Sequence, residues 1–416
     1  MSSATTTRQH GGETKESVTI GWAKTIFLKF ISHLQHGQII LRDGDHVSAH
    51  GDDASLSVGI TVLDQRFYPK IIFGGSVGAG EAYLENYWQV DDLTTLVRII
   101  ARNDETLTRL EKKFRWLVYP LRQLKHTLNR NSKTGARRNI LSHYDLGNEM
   151  YRSFLDSRMM YSSAIYPDES SSLEEAAGHK LDVICRKLDL KPTDSVIEIG
   201  SGWCGFAIHA AANYGCRVTT TTISDAQYEE GRRRIEAAGL SEKITLLKQD
   251  YRELTGSYDK LVSIEMIEAV GHHYHPQFFE KCGQLLKAGG RMLIQAITIR
   301  DQKYAQYVND VDFIQQHIFP GGCLISNGRM FDLIARKTDM VVHQLEEFGL
   351  HYGRTLHDWR ERFNHGFSAL KKQGYDDRFR RLWNFYLSYC EGGFIERAIN
   401  VVHLVAVRPE YDAQDS

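Results

Sequence analysis

Proline is scarce in this chain, at 7 in 416 residues, and neither sign of charge dominates: 51 Lys and Arg face 52 Asp and Glu, a net charge of −1. With 42% apolar residues, this excludes a disordered, collagen-like or coiled-coil protein as a global description. Long hydrophobic runs are also missing, since no stretch approaches the ~20 apolar residues needed to cross a bilayer. The amino terminus, MSSATTTRQHGGETKES, lacks the hydrophobic core of a secretory signal. Six cysteines without paired spacing provide neither a disulfide framework nor a zinc module. These absences predict a soluble, cytosolic, multidomain protein, and the neutral total argues against an anionic partner.

The neutrality is only an average. From Lys112 to Arg138 there are nine Lys or Arg residues and no Asp or Glu, interleaved with Phe114, Trp116, Leu117, Val118, Tyr119, Leu121, Leu124 and Leu128. Pro120 divides the run into two short amphipathic pieces. It reads either as a solvated basic linker or as a docking surface for anionic lipid head groups, worth roughly 1 kcal/mol per basic residue near a membrane. Nucleic acid is not expected, because no DNA- or RNA-binding motif accompanies the run. Three segments follow: an accessory domain at 1–110, the basic linker at 111–139, and a larger domain at 140–416.

In the accessory domain, 17–35 places Trp22, Ile26, Phe30 and Ile31 on one helical face. Alternation predicts strands at 55–64 and 66–75, Asp43-Gly44 signals a turn, and a helix near 91–102 closes an α+β unit that carries no catalytic cluster. The larger domain alternates strands (194–200, 217–223, 243–250, 259–267, 290–298, 341–347 and 400–408) with helices such as 174–188, 205–214 and 225–239. Such α/β alternation predicts a mostly parallel sheet covered on both faces. The insert at about 300–340 is long enough to form a helical lid over the carboxyl ends of the strands.

Glu198-Ile-Gly200-Ser-Gly202-Trp-Cys-Gly205 follows a buried strand and opens a helix, where glycines let the backbone approach a nucleotide-like ligand. A nicotinamide enzyme would need an acid ~20 residues later to hold a ribose diol. The second strand ends instead in Thr219–Thr222 and Ile223. Glu198-x-Gly200 resembles the opening motif of class I S-adenosylmethionine (SAM) methyltransferases, which implies a Rossmann-like, seven-stranded sheet. Ser224-Asp-Ala-Gln227 reads as a capping box, and Asp250-Tyr251-Arg252 ends the third strand where an adenine would lie. Glu265 and Glu268, at the end of the fourth strand, can be neighbours on one face of a turn and orient a base or stabilise a cation. His272-His273-Tyr-His275 is a poor metal site, because adjacent histidines diverge.

His143-Tyr144-Asp145-Leu-Gly147-Asn148 and Met160-Tyr161-Ser162-Ser163-Ala164 resemble the entry signature of the cyclopropane fatty acid synthases and mycolic acid cyclopropane synthases. Glu198-x-Gly200-x-Gly202-Trp203, Ile267-Glu268-Ala-Val-Gly271, Ile318-Phe-Pro-Gly-Gly-Cys323, Tyr352 in HYGRTLHDW and Cys390 in YLSYCEGGF continue the series in order over about 140–409. The accessory domain resembles that of the longer bacterial enzymes through GSVGAGEAYLENYWQVDDL at 75–93. The resemblance implies methyl transfer from SAM to a cis double bond in an unsaturated phospholipid acyl chain. A carbocation forms and loses a proton to close a cyclopropane ring. SAM would meet Tyr161, Ser162, Glu198, Gly200, Gly202, Thr222, Ile223, Gln227, Asp250, Tyr251 and Arg252.

The base implied is a bound bicarbonate, held by Ser163, Glu268, Gln295, the Ile297 main chain and Tyr352. Cys390 joins the catalytic set from its motif, although its aromatic helix reads as packing and the chemistry needs no thiolate. Aromatic faces stabilise cations, and Tyr144, Tyr161, Trp203 and Phe319 would wall the tunnel. Many members have Cys at Ser163 and His at Gln295. Ser keeps the main-chain amide, whereas Gln keeps a donor but cannot titrate. A misplaced base would divert the cation to a methyl-branched or methylene product. A catalytically idle lipid-binding protein and a small-molecule methyltransferase are the competing readings. The expected location is cytoplasmic, peripheral to the inner face of the membrane, with dimerisation of the accessory domain into a homodimer left open.

Overall fold

The computed structural model describes residues 15–110 and 147–410, so the basic run from Lys112 to Arg138 and the motif residues 143–146 lie outside the described residues. The chain divides into two compact units, Met1–Lys125 and His126–Ser416. Among the described residues no helix is long and apolar enough to cross a membrane.

In the first unit, helix α1 (Lys15–Ile31) precedes a sheet of β1 (Gln38–Asp43), β2 (His46–His50), β3 (Ser57–Val62) and β4 (Trp88–Val90), in the order β2-β1-β3-β4. Asp43 pairs with His46 across the expected turn, with Gly44 at φ 58°. α1 buries Ala23, Ile26, Phe27 and Ile31, not the face drawn through Trp22 and Phe30; Trp22 is 37% exposed. The strand expected at 66–75 is instead the start of helix α2 (Phe67–Leu84). Pro69 falls in its first turn, where an N–H would lack a partner anyway, so the ring that would interrupt a strand ladder costs a helix little. Gly75 (φ 56°) kinks α2 and brings Gly78 against the Lys70 carbonyl, where a Cβ would lie 1.9 Å from the oxygen. Helix α3 (Leu93–Arg102) starts where the Asp92 carboxylate accepts from the Thr94 and Thr95 amides.

The second unit is built on a seven-stranded sheet: β5 (Ser195–Ile199), β6 (Arg217–Thr222), β7 (Ile244–Lys248), β8 (Tyr258–Ile264), β9 (Leu286–Ile299), β10 (Val341–Glu347) and β11 (Ile399–Val407). Their order is β10-β11-β9-β8-β5-β6-β7. Strands β5 to β9 run parallel to one another, and β11 runs antiparallel to both β9 and β10. Strand order reverses between β5 and β8, which opens a crevice at their carboxyl ends. The central strands β5, β8, β9 and β11 are covered on both faces: Ile197, Leu261, Met292 and Val402 pack with Phe278 and Phe279, while Val196, Val262, Leu293 and Val405 pack with Leu181 and Phe206.

The helices that matter for the crevice are α4 (Asn148–Arg152), α5 (Leu173–Leu188), α6 (Gly205–Asn213), α7 (Asp225–Ala237) and α8 (Ile267–Val270). α9 (His275–Leu285) follows, and the insert contributes α10 (Asp301–Tyr307), α11 (Phe313–His317) and α12 (Asn327–Lys337). Long helices α13 (Gly349–Lys372) and α14 (Asp377–Ile395) pack together before β11. The insert is tied to the carboxyl ends of the strands: Thr298 bridges Ile325, and the Cys323 amide donates to the Glu268 carbonyl at 2.8 Å.

Candidate functional site

The loop after β5 turns through Gly200 (φ 94°), Gly202 (φ 47°) and Cys204 (φ 65°) into α6. Gly200 lies against Met266, where a Cβ would sit 2.8 Å from the Met266 Cγ. Below the loop, Glu198 is buried and accepts from the Thr220 hydroxyl at 2.6 Å. Burial pushes its carboxyl up to about 8, against the pull of Lys180. Trp203 donates its indole N–H to Asn148 (2.9 Å) and packs on Tyr151 (4.9 Å), so this buried ring anchors the loop to α4 instead of lining a tunnel.

Folding raises the Glu198 carboxyl from an ordinary 4.5 to about 8. Between those values the folded state keeps a proton that the unfolded chain releases, so this group's contribution to stability falls as pH rises. Glu198→Gln keeps an acceptor for Thr220 and cannot ionise. In thermal denaturation the variant should therefore gain on the wild type as pH goes from about 5 to about 8. A difference independent of pH would contradict the assignment.

At the end of β6 the Thr222 hydroxyl donates to the Gln227 side-chain oxygen at 2.8 Å. Ser224 caps α7 by accepting from the Gln227 amide, but the reciprocal half of the expected capping box is missing because Gln227 is engaged with Thr222. Ile223 joins these two anchors. Beyond β7, Arg252 forks onto the Asp250 carboxylate at 2.8 and 2.6 Å, and the Tyr251 ring packs edge-on to Phe278. The Tyr251 hydroxyl is buried without a protein partner.

The two acids at the end of β8 are both half-buried. Glu265 sits in the left-handed region (φ 48°), an uncommon conformation for a side chain of this type. Its carboxylate accepts from the Ser163 amide at 2.9 Å, the Gln295 side-chain amide at 2.6 Å and the Tyr352 hydroxyl at 2.6 Å. Glu268 accepts from the Ile297 amide at 2.6 Å, while its other oxygen is buried without a partner. Burial and the neighbouring Glu265 charge push Glu268 up to about 8. Burial also raises Glu265, but three hydrogen bonds and the charge of Lys180 oppose it. Of this coupled pair, Glu265 therefore ionises first.

The residues expected to hold a bicarbonate are brought together, but around Glu265 and Glu268. Ser163 and Ile297 have one amide hydrogen each and Tyr352 has one hydroxyl hydrogen, all engaged. The second Gln295 amide hydrogen faces the Ser163 carbonyl at 3.4 Å. The hydrogens of these four groups are spent on the two carboxylates and the Ser163 carbonyl, so a separate bicarbonate does not fit them.

Three residues that motif reading did not select complete the site. Lys180, fully buried on α5, donates to the Ser162 hydroxyl at 2.7 Å and is pushed down to about 8 by burial, against the attraction of Glu265, Asp156 and Glu198. His403 faces the Gln295 oxygen at 2.9 Å, in the β11 register that pairs the two residues. The Tyr386 hydroxyl meets that of Tyr161 at 2.9 Å. For His403 the available signal was an isolated polar residue in the apolar run INVVHLVAV. Aromatic faces continue from Tyr352, stacked on Phe394 at 4.4 Å, through Trp359 to Tyr161 and Phe319. Tyr144 lies outside the described residues. Cys390 does not join the carboxylates as a nucleophile: burial pushes its thiol up, away from the thiolate form. A cavity of about 410 Å³ elsewhere is lined by ion-pairing side chains such as Arg152, Glu230 and Arg233 and does not suit an acyl chain.

Residues 131–404 match the family model described as mycolic acid cyclopropane synthetase. The tuberculostearic acid methyltransferase UfaA1 of Mycobacterium tuberculosis is 33% identical, over 80% of this chain and 79% of that one. The cyclopropane-fatty-acyl-phospholipid synthase of Escherichia coli is also 33% identical, over 86% and 89%. Among solved structures, the mycolic acid cyclopropane synthase CmaA1 complexed with SAH and CTAB superposes with a TM-score of 0.61 at 25% identity, over 65% of this chain and 98% of that one. Coclaurine N-methyltransferase bound to N-methylheliamine and SAH shares the fold, with a TM-score of 0.53. The crevice, its glycine loop and these matches agree: the chain belongs to the mycolic acid cyclopropane synthetase family of SAM-dependent methyltransferases.

Proposed function

We propose that this enzyme transfers the methyl carbon of SAM to a cis double bond in an unsaturated phospholipid acyl chain and closes a cyclopropane ring. The alkene π pair attacks the sulfonium methyl, the C–S bond breaks onto sulfur, and a carbocation remains. One observation carries the reading: a carboxylate held by three donors faces a continuous aromatic wall one residue from the Met266 side chain that packs on the glycine loop. Such a recess suits a cation that must lose a proton without meeting water. An idle lipid-binding protein would need neither the ordered carboxylate nor the loop.

The basic run at 112–138 supports the further reading that the enzyme works at an anionic membrane surface, where its substrate resides. A second product reading is favoured by the relative named as a tuberculostearic acid methyltransferase. The same cation, after a hydride shift and loss of a different proton, would leave a methylene in place of a ring, and a methyl branch only after a separate hydride donor reduces that alkene.

Expression in cells rich in cis-monounsaturated phospholipid, followed by mass spectrometry of fatty acid methyl esters, separates these outcomes. A gain of one CH₂ that resists hydrogenation is expected. A hydrogenation-sensitive product would move the assignment to methylene formation, and a saturated branched ester would move it to reduction. No new ester would refute the enzymatic reading.

A further inference from the structure

We propose that Glu265 is the catalytic base of this enzyme, its own side chain doing what a bound bicarbonate was expected to do. The proposal rests on the cation chemistry above. The donors assigned to the anion from the sequence, namely the Ser163 amide, the Gln295 side chain and the Tyr352 hydroxyl, all end on the Glu265 carboxylate at 2.6–2.9 Å. A planar anion bound in addition would find those hydrogens taken and a like charge beside it.

The surroundings hold this carboxylate in one pose. Lys187 approaches His403 Nδ1 at 3.0 Å, and its ammonium can only donate. Nδ1 therefore accepts and Nε2 carries the proton, which it gives to the Gln295 oxygen at 2.9 Å. That leaves the Gln295 NH₂ turned towards Glu265. His403 and Lys187 are thus positioning residues. A histidine at 295 could titrate; the glutamine here serves as a fixed donor. Lys180 places a positive charge where it favours the ionised form of Glu265, and Glu268, whose own ionisation Glu265 opposes, is the neighbour that keeps its proton.

In the deprotonation step a C–H bond of the transferred methyl breaks, and its electron pair forms the third C–C bond of the ring. The proton goes to a Glu265 carboxylate oxygen, and charge balances because the cation and the carboxylate are both neutralised. No external oxidant or anion takes part.

The test uses the full-length enzyme with SAM and vesicles of cis-monounsaturated phospholipid. In buffer purged of carbon dioxide, wild-type turnover should change less than about twofold when bicarbonate is added back. Glu265→Gln should lose about a thousandfold in turnover while calorimetric SAM affinity stays within about threefold. Glu265→Gly leaves the three donors facing a carboxylate-sized space. It should bind ¹³C-bicarbonate in NMR titrations where the wild type does not, and millimolar formate or bicarbonate should restore its turnover at least tenfold. Wild-type turnover that requires bicarbonate, or an active Glu265→Gln enzyme, would overturn the assignment of Glu265 alone. A wild-type enzyme that makes no lipid product would instead remove the reading beneath it, and with it the proposal.

Discussion

Gly200→Val should weaken SAM binding at least about a hundredfold in calorimetric titration, with the cost falling on the ligand loop and not on the core. Two effects combine at this position. Its φ of 94° is open to glycine and strained for a β-branched residue. A Cβ there would also lie 2.8 Å from the Met266 Cγ, so the loop must move or Met266 must turn away. Each is worth on the order of 1–3 kcal/mol, and about 2.8 kcal/mol corresponds to a hundredfold in affinity. Gly200→Ala should lie between the two, because the flexible Met266 side chain can yield to a single methyl. A Cβ at the neighbouring Gly202 would meet nothing within 4 Å, so Gly202→Ala should cost only its φ of 47° and weaken binding less. Equal effects at the two glycines would show that the crowding at Met266 is unimportant.

Tyr352→Phe should lower turnover roughly 10- to 150-fold while leaving SAM affinity unchanged. The substitution removes the hydroxyl that donates to Glu265 at 2.6 Å and retains the ring stacked on Phe394 at 4.4 Å. A hydrogen bond to a charged group contributes about 1.5–3 kcal/mol, which sets that range. The pH dependence gives a second readout. The Tyr352 hydrogen bond favours the ionised Glu265, so its loss raises the pKa of that carboxyl. A base must be deprotonated to act, and the acid limb of the rate profile should move to higher pH in the variant. An unchanged profile would mean that Tyr352 acts on something other than Glu265.

Much of the second unit was readable because its signals are local. Buried parallel strands are short apolar runs, and β5 to β11 fall within a few residues of the expected segments. The glycine loop announces itself because its positive φ values at Gly200 and Gly202 favour glycine. The first unit was less legible. Residues 66–75 alternate like a strand, yet Pro69 in a first helical turn and the kink at Gly75 decide for a helix. Helix α1 illustrates the same limit, since an aromatic residue such as Trp22 marks a face without saying whether that face is covered.

The site divides along the same line. Sequence alone determined the family pattern and the alternation of strands and helices, and the set Ser163, Gln295, Ile297 and Tyr352 came only as what the family resemblance implies. It also showed that the near-zero net charge conceals nine positive residues in one stretch. Only the tertiary structure decided what those residues hold. Glu265 and Glu268 are three apart in the chain, and nothing in that spacing says which gathers the donors. Ser163, Gln295 and Tyr352 come from positions 102, 30 and 87 residues away from Glu265, and Lys180 and His403 from a separate helix and strand. Hydrogen bonds and Coulomb forces act over a few ångströms, so the identity of the carboxylate they serve is a property of the folded chain.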